Sequence, residues 1–185
     1  MNIIVRPHGS GFCYCRPDTT WERENKDYYV PDSVSSMFWA PILFVRISKA
    51  GKCIGEKFAS RYYDAFNFGA LMYCHMEGTD ERAFTSCGDH TSLLPAPLFN
   101  PVVMENDELE YEVFRNGETV FRGKAVKSLI EETICKASRL TSLRIGDFIA
   151  VELAAPEQIA GRTEETTEIK GRFCDKDIFD IKIIF

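Results

Sequence analysis

Apolar and polar positions alternate most strictly around Glu108–Val113, where Leu109, Tyr111 and Val113 are interleaved with Glu108, Glu110 and Glu112. A repeat of two puts the apolar set on one face of an extended chain, which predicts a half-buried strand. The run continues through Phe114 and Arg115 into Asn116-Gly117. That pair readily supplies the positive φ angles of a type I′ turn, so a hairpin returning through Thr119, Val120 and Phe121 is predicted. Residues 178–185 set Phe179, Ile181, Ile183 and Phe185 on one face, with Asp180 and Lys182 on the other. Residues 42–48 carry Leu43, Phe44, Val45 and Ile47 and are apolar on both faces, as a central strand is. Residues 1–7 read as a further strand.

Helical signals are fewer. Ser128-Leu129-Ile130-Glu131 fits a capping box, and Ile130, Ile134 and Ala137 recur at helical spacing, predicting a helix of about ten residues. Residues 56–65 predict another, entered from Gly55. The charge-dense stretches 21–27 and 162–170 predict loops or edges. Short helices scattered among hairpins predict a mostly β, α+β domain rather than a wound parallel sheet.

Composition sets the scale of this domain. A length of 185 residues predicts one domain spanning 1–185 with a substantial core. With 14 Phe, 7 Tyr and 2 Trp, disorder is excluded as the main state. No run of about 18 apolar residues predicts a membrane span. Residues 1–7 lack the pattern of a signal peptide, and the seven cysteines are odd in number. Reduced thiols in a cytoplasm are therefore expected. A net charge of −6 argues against a general nucleic-acid binder, which needs a positive surface.

Several motifs then occur in a telling order. Asn116-Gly117-Glu118 ends the strand, Ser138-Arg139 ends the helix, and Leu143-Arg144-Ile145-Gly146-Asp147 leads into an apolar strand. Upstream stand Val5-Arg6-Pro7, Tyr28-Tyr29-Val30-Pro31, the strand at 42–51 and the passage at 59–69. This order and spacing resemble the fumarylacetoacetate hydrolase family over most of the chain. The resemblance implies a layered mixed β-sheet roll with a few short helices, usually dimeric. It also implies enzymes that cleave or isomerise acylpyruvate-type diketones, or that hydrate or decarboxylate related acids, with a divalent metal held by an E-x-E pair and a later Asp.

Matched residue by residue, the resemblance places Ala40 and Ile42 at the E-x-E positions and Leu71 at the Asp. None offers a side-chain oxygen to a hard cation. Cys87 stands at the family's lysine, counted from Leu94-Pro95-Ala96-Pro97, and Glu152-Leu153-Ala154-Ala155-Pro156 replaces T-G-T-P. The family's H-x-x-E lid segment would precede Val5 and is not expected. These departures imply a catalytically inactive relative with a structural or small-ligand-binding role, no cofactor and no catalytic residue. Expected partners are a second copy of the chain, a small anionic ligand or an intact paralogue, with neither nucleic acid nor membrane. The alternative is an active hydrolase, isomerase or decarboxylase on small keto acids with a rebuilt, metal-independent site.

Arg6, Arg82 and His90 are the candidates for binding a small anion, because guanidinium and imidazolium recognise carboxylates. Cys74-His75 with Cys87 and His90 form a weak zinc pattern, and Cys87 with His90 a weak nucleophile and base pair. Cys13-Tyr14-Cys15 reads as two thiols on one strand face. Met37-Phe38-Trp39-Ala40-Pro41 reads as core filling the vacated site.

Overall fold

A computed structural model describes residues 1–76, 85–106 and 108–185. It contains two β-sheets. The larger is built from β1 (Ile3–Arg6), β2 (Tyr14–Arg16), β3 (Trp21–Glu22), β5 (Ser36–Ile47), β6 (Tyr63–His75), β7 (Ser92–Leu93), β10 (Phe148–Glu152) and β11 (Glu157–Gly161). Its order is β2-β1-β10-β5-β6-β7-β3, with β11 also paired to β5. The smaller has the order β4-β13-β12-β8-β9. Its strands are β4 (Tyr28–Tyr29), β8 (Tyr111–Arg115), β9 (Glu118–Gly123), β12 (Thr166–Phe173) and β13 (Lys176–Ile184).

The predicted hairpin is present. Asn116 and Gly117 have φ angles of 49° and 84°, and the Asn116 carboxamide accepts the Glu168 amide at 2.8 Å. The C-terminal strand buries Phe179, Ile181 and Ile183 as the alternation requires. The predicted central strand is longer than its apolar run: β5 reaches back to Ser36 and pairs with β6 over nearly its whole length. It contains a proline, which cannot donate to a neighbour. Pro41 stands where the partner changes, since β10 ends opposite Ile42 and β11 begins opposite Trp39. There the Pro41 carbonyl accepts the Leu153 amide at 2.8 Å.

Three expectations need correction. Helix α1 (Lys127–Leu140) starts one residue before Ser128 and has no side-chain cap at its N-cap, Val126. Ser128 lies inside the first turn, so the capping box does not form. Residues 56–65 do not make one helix: a 3-10 helix at Glu56–Arg61 gives way to β6 at Tyr63. The charged stretch at 162–170 enters β12, which lies between β13 and β8 within its sheet. Its alternating Thr167, Ile169 and Gly171 are buried, while the charges face out.

The core has two parts. One face of the large sheet packs Trp39, Leu43, Phe66, Phe68 and Met72 against Tyr111, Phe173, Phe179 and Ile181 of the small sheet. Phe68 stacks on Tyr111 with centroids 4.7 Å apart, and the Tyr111 hydroxyl donates to the Gly69 carbonyl at 2.8 Å. The other face of the large sheet gathers Ile3, Val5, Ile42, Phe44, Leu71, Leu94, Phe148 and Ala150. This sheet is curled. β2 and β3 lie at opposite ends of its strand order, yet only residues 17–20 separate them in sequence. Among the described residues, no helix is long and apolar enough to cross a membrane.

Candidate functional site

The inner face of the curled sheet holds the positions assigned to the metal ligands. Ala40 and Leu71 are direct cross-strand partners, and Ile42 is two residues along from Ala40 on the same face. All three have 0% exposure. Ile42 and Leu71 belong to the apolar cluster inside the roll. Of the aromatic stretch, Met37, Trp39 and Ala40 are buried and Phe38 is partly exposed. Among the described residues, no group of three or more His, Cys, Asp or Glu side chains could hold a metal ion.

One end of this face is polar. Strand parity sends Tyr14 and Arg16 of β2 inward, beside Val5 and Ile3. Glu152 of β10 stands opposite Ile42, and Tyr73 of β6 opposite Phe38. The Tyr73 hydroxyl donates to one Glu152 oxygen, and the His8 amide donates to the other at 2.9 Å. The Tyr14 and Tyr73 hydroxyls meet at 3.0 Å; because Tyr73 gives its proton to Glu152, Tyr14 is the donor. Burial pushes the Glu152 carboxyl above the usual range, and the Tyr73 hydroxyl, the His8 amide and the Arg16 charge pull it partly back. Burial also raises the Tyr73 hydroxyl far beyond its ordinary value.

Arg16 is the most unusual member of this group, with 0% exposure. Its Nη2 donates to the Met72 carbonyl at 2.9 Å and to Thr91 Oγ1 at 2.6 Å, and its guanidinium lies 5.1 Å from the Tyr73 ring centroid. Nε and Nη1 are buried without an acceptor. These contacts link β2, at one end of the strand order, to the segment entering β7, next to the other end.

Of the sequence-derived candidates, Arg6 and His90 make other contacts. Arg6 Nη1 pairs with Glu132 Oε2 at 2.7 Å, and its Nε donates to the Ser10 carbonyl at 2.9 Å. His90 takes a left-handed φ of 58° and sets its Nδ1 3.0 Å from Glu22 Oε2. It lines a cavity of about 470 Å³, together with Glu22, Tyr28, Cys74, Met76 and Cys87, which Arg6 does not line. Arg82 lies outside the described residues. In that cavity the Tyr28 hydroxyl and Cys74 Sγ are 3.4 Å apart. Burial pushes both groups up, so neither ionises near neutrality.

The motif residues that carried the resemblance have structural tasks. Both Asp147 carboxylate oxygens are occupied at 2.8 Å, by the Asn2 and Arg144 amides. Gly146 supplies a φ of 89° for the turn. Ser138 Oγ accepts the Ile54 amide at 2.9 Å.

Arg16, Tyr14 and Tyr73 were not legible as site residues in the sequence. Arg16 lies in a three-residue strand that carries too few positions for a period. The available signal was parity, since Tyr14 and Arg16 flank Cys15.

No family model matches the sequence, and no curated protein matches it. Solved structures do match in fold. A protein assigned to the fumarylacetoacetate hydrolase family from Yersinia pestis CO92 superposes with a TM-score of 0.75 at 14% identity, covering 99% of this chain and 92% of that one. Fumarylpyruvate hydrolase from Pseudomonas aeruginosa, in complex with Mn2+ and pyruvate, gives 0.73 at 14% identity, covering 100% and 96%. The 5-carboxymethyl-2-hydroxymuconate delta-isomerase from Mycobacterium smegmatis gives 0.77 at 14% identity, covering 99% and 78%. The two sheets, their curl and the motif order thus converge on one architecture: the chain has the fumarylacetoacetate hydrolase fold.

Proposed function

We propose that this chain uses the fumarylacetoacetate hydrolase fold for binding a small ligand and does not perform the metal-dependent reaction of that fold. The carrying observation is the burial of Ala40, Ile42 and Leu71, each at 0% exposure, where the resemblance assigns carboxylates. These residues do not fit a divalent cation, because a hard ion needs oxygen donors and these side chains have none. Glu152 brings a carboxylate to the same face, but both of its oxygens already accept hydrogen bonds from the protein.

The test is direct. Calorimetric titration with Mn2+ and Mg2+ is expected to give no stoichiometric binding. A panel of acylpyruvates, fumarylpyruvate included, is expected to give no turnover with either metal. One Mn2+ bound per chain together with metal-dependent cleavage or isomerisation would overturn the reading.

A further inference from the structure

The overall charge of −6 hides a basic surface at one end of the molecule. Residues 48–62 and 139–146 carry six Lys or Arg and one acid, Glu56, a local charge of +5. Backbone hydrogen bonds sew these segments into one surface. Gly51 and Leu143 exchange amide bonds at 3.1 and 2.8 Å, the Cys53 amide donates to the Ser138 carbonyl at 2.8 Å, and the Ser48 amide donates to the Tyr62 carbonyl at 2.9 Å. Lys49, Lys52, Lys57, Arg61, Arg139 and Arg144 are all exposed. Elsewhere, exposed cations such as Arg46 and Arg122 face carboxylates, Asp64 and Glu112. Among the described residues, none of these six forms an ion pair. Two aliphatic side chains stand beside the arginines: Leu140 and Ile145 are 75% and 72% exposed.

We propose that this end of the molecule docks reversibly on an anionic lipid surface, with the six cations against the headgroups and Leu140 and Ile145 in the apolar boundary beneath them. This goes beyond ligand binding inside the fold and does not rest on it. Clustered basic side chains gain from the negative potential of acidic lipids. An exposed aliphatic beside a cation gains when the cation stays at the headgroups and the hydrocarbon sinks below them. A nucleic acid fits less well. Its phosphates suit the cations but offer nothing to two aliphatic side chains. The Phe58 ring is already covered, with Lys57 Nζ and the Arg61 guanidinium 4.9 and 5.4 Å from its centroid, and is not free to stack on a base. Docking of this kind needs no spanning segment, and an acidic average charge does not oppose it, because the local field governs the contact.

Co-flotation measures binding of the full chain to phosphatidylcholine vesicles with and without an equal part of phosphatidylserine. Binding is expected only with phosphatidylserine, and is expected to fall as added salt shortens the range of charge interactions. Each basic residue near an acidic surface adds about fivefold to affinity, so Lys52→Glu with Arg144→Glu is expected to weaken binding more than about tenfold. Lys176→Glu with Lys182→Glu, an equal charge change on β13 of the small sheet, is expected to leave it within about twofold. Leu140→Ser with Ile145→Ser is expected to weaken binding at low and high salt alike. All the substituted side chains are exposed, and urea midpoints check that the variants fold. No uptake by phosphatidylserine vesicles would overturn the proposal. So would equal losses from the two double charge reversals, the mark of net charge alone, or binding unchanged by the two serines. Tighter binding to a DNA duplex than to the vesicles would assign the surface to nucleic acid and overturn it likewise. None of these outcomes bears on metal binding or acylpyruvate turnover, so this proposal and the previous one stand or fall separately.

Discussion

Tyr73 and Glu152 come from strands that are not neighbours, yet the Tyr73 hydroxyl reaches the Glu152 carboxylate. β5 lies between them. Tyr73 stands opposite Phe38 and Glu152 opposite Ile42, so the hydrogen bond crosses β5 diagonally, above Ala40. The methyl group of Ala40 leaves room for this crossing; a longer side chain would block it. The small residue at 40 and the carboxylate at 152 are therefore parts of one arrangement.

Returning acidic side chains to the inner face should damage the fold. Ala40→Glu and Ile42→Glu each put a carboxylate into a fully buried position without a partner, and Ala40→Glu also breaks the Tyr73–Glu152 crossing. A loss of roughly 3–5 kcal/mol is expected for each, measured by urea unfolding. A change below about 1 kcal/mol, the scale of ordinary surface substitutions, would contradict the burial argument.

Stability should depend on pH through Glu152. Its folded-state pKa is raised, by burial first. Such a group contributes stability that is fully present below its unfolded pKa, near about 4.3, and is lost as pH rises through the folded value. Glu152→Gln removes this dependence. The wild type should therefore lose stability relative to Glu152→Gln as pH rises above the ordinary carboxylate range. Parallel urea midpoints for the two proteins over that rise would refute the assignment.

Tyr111 links the sheets through its hydroxyl on the Gly69 carbonyl and its stacked contact with Phe68. Tyr111→Phe keeps the ring and removes one hydrogen bond from the Gly69 carbonyl, which also faces Ile42 across the β5–β6 ladder. A cost of about 0.5–1.5 kcal/mol is expected. Amide exchange near Gly69 and the unfolding midpoint should report it together.

Gly69 itself cannot carry a side chain. A Cβ there would stand 2.0 Å from the Leu93 carbonyl oxygen, a backbone atom of β7 that has no free rotamer to take. Gly69→Ala should separate β7 from β6 and cost more than about 3 kcal/mol, in the range of severe core disruptions. Wild-type stability in that variant would show that the β6–β7 approach is looser than described.

Much of this architecture was legible because it rests on local rules. Asn116-Gly117 dictates its own turn, and Phe179, Ile181 and Ile183 declare a buried strand face by alternation. The capping box failed because the helix already begins at Lys127: Ser128 sits inside the first turn, and the N-cap residue, Val126, has no side-chain oxygen to accept an amide. The passage at 56–65 misled because its apolar spacing suits both a helical turn and the start of a long strand. The polar group inside the roll was hidden for another reason. Arg16 and Thr91, or Tyr14 and Tyr73, meet only once the sheet has curled, and no periodicity along the chain records that meeting.

The junction between β2 and the segment entering β7 also bears on how the chain reaches its native state. Arg16 and Thr91 are 75 positions apart, and a contact over that span brings a large entropy loss before it returns any stability. The local hairpins can form early, while this seam waits for the intervening strands to be in place. Kinetic studies should accordingly find the Arg16 seam absent from the rate-limiting barrier and formed only on its downhill side.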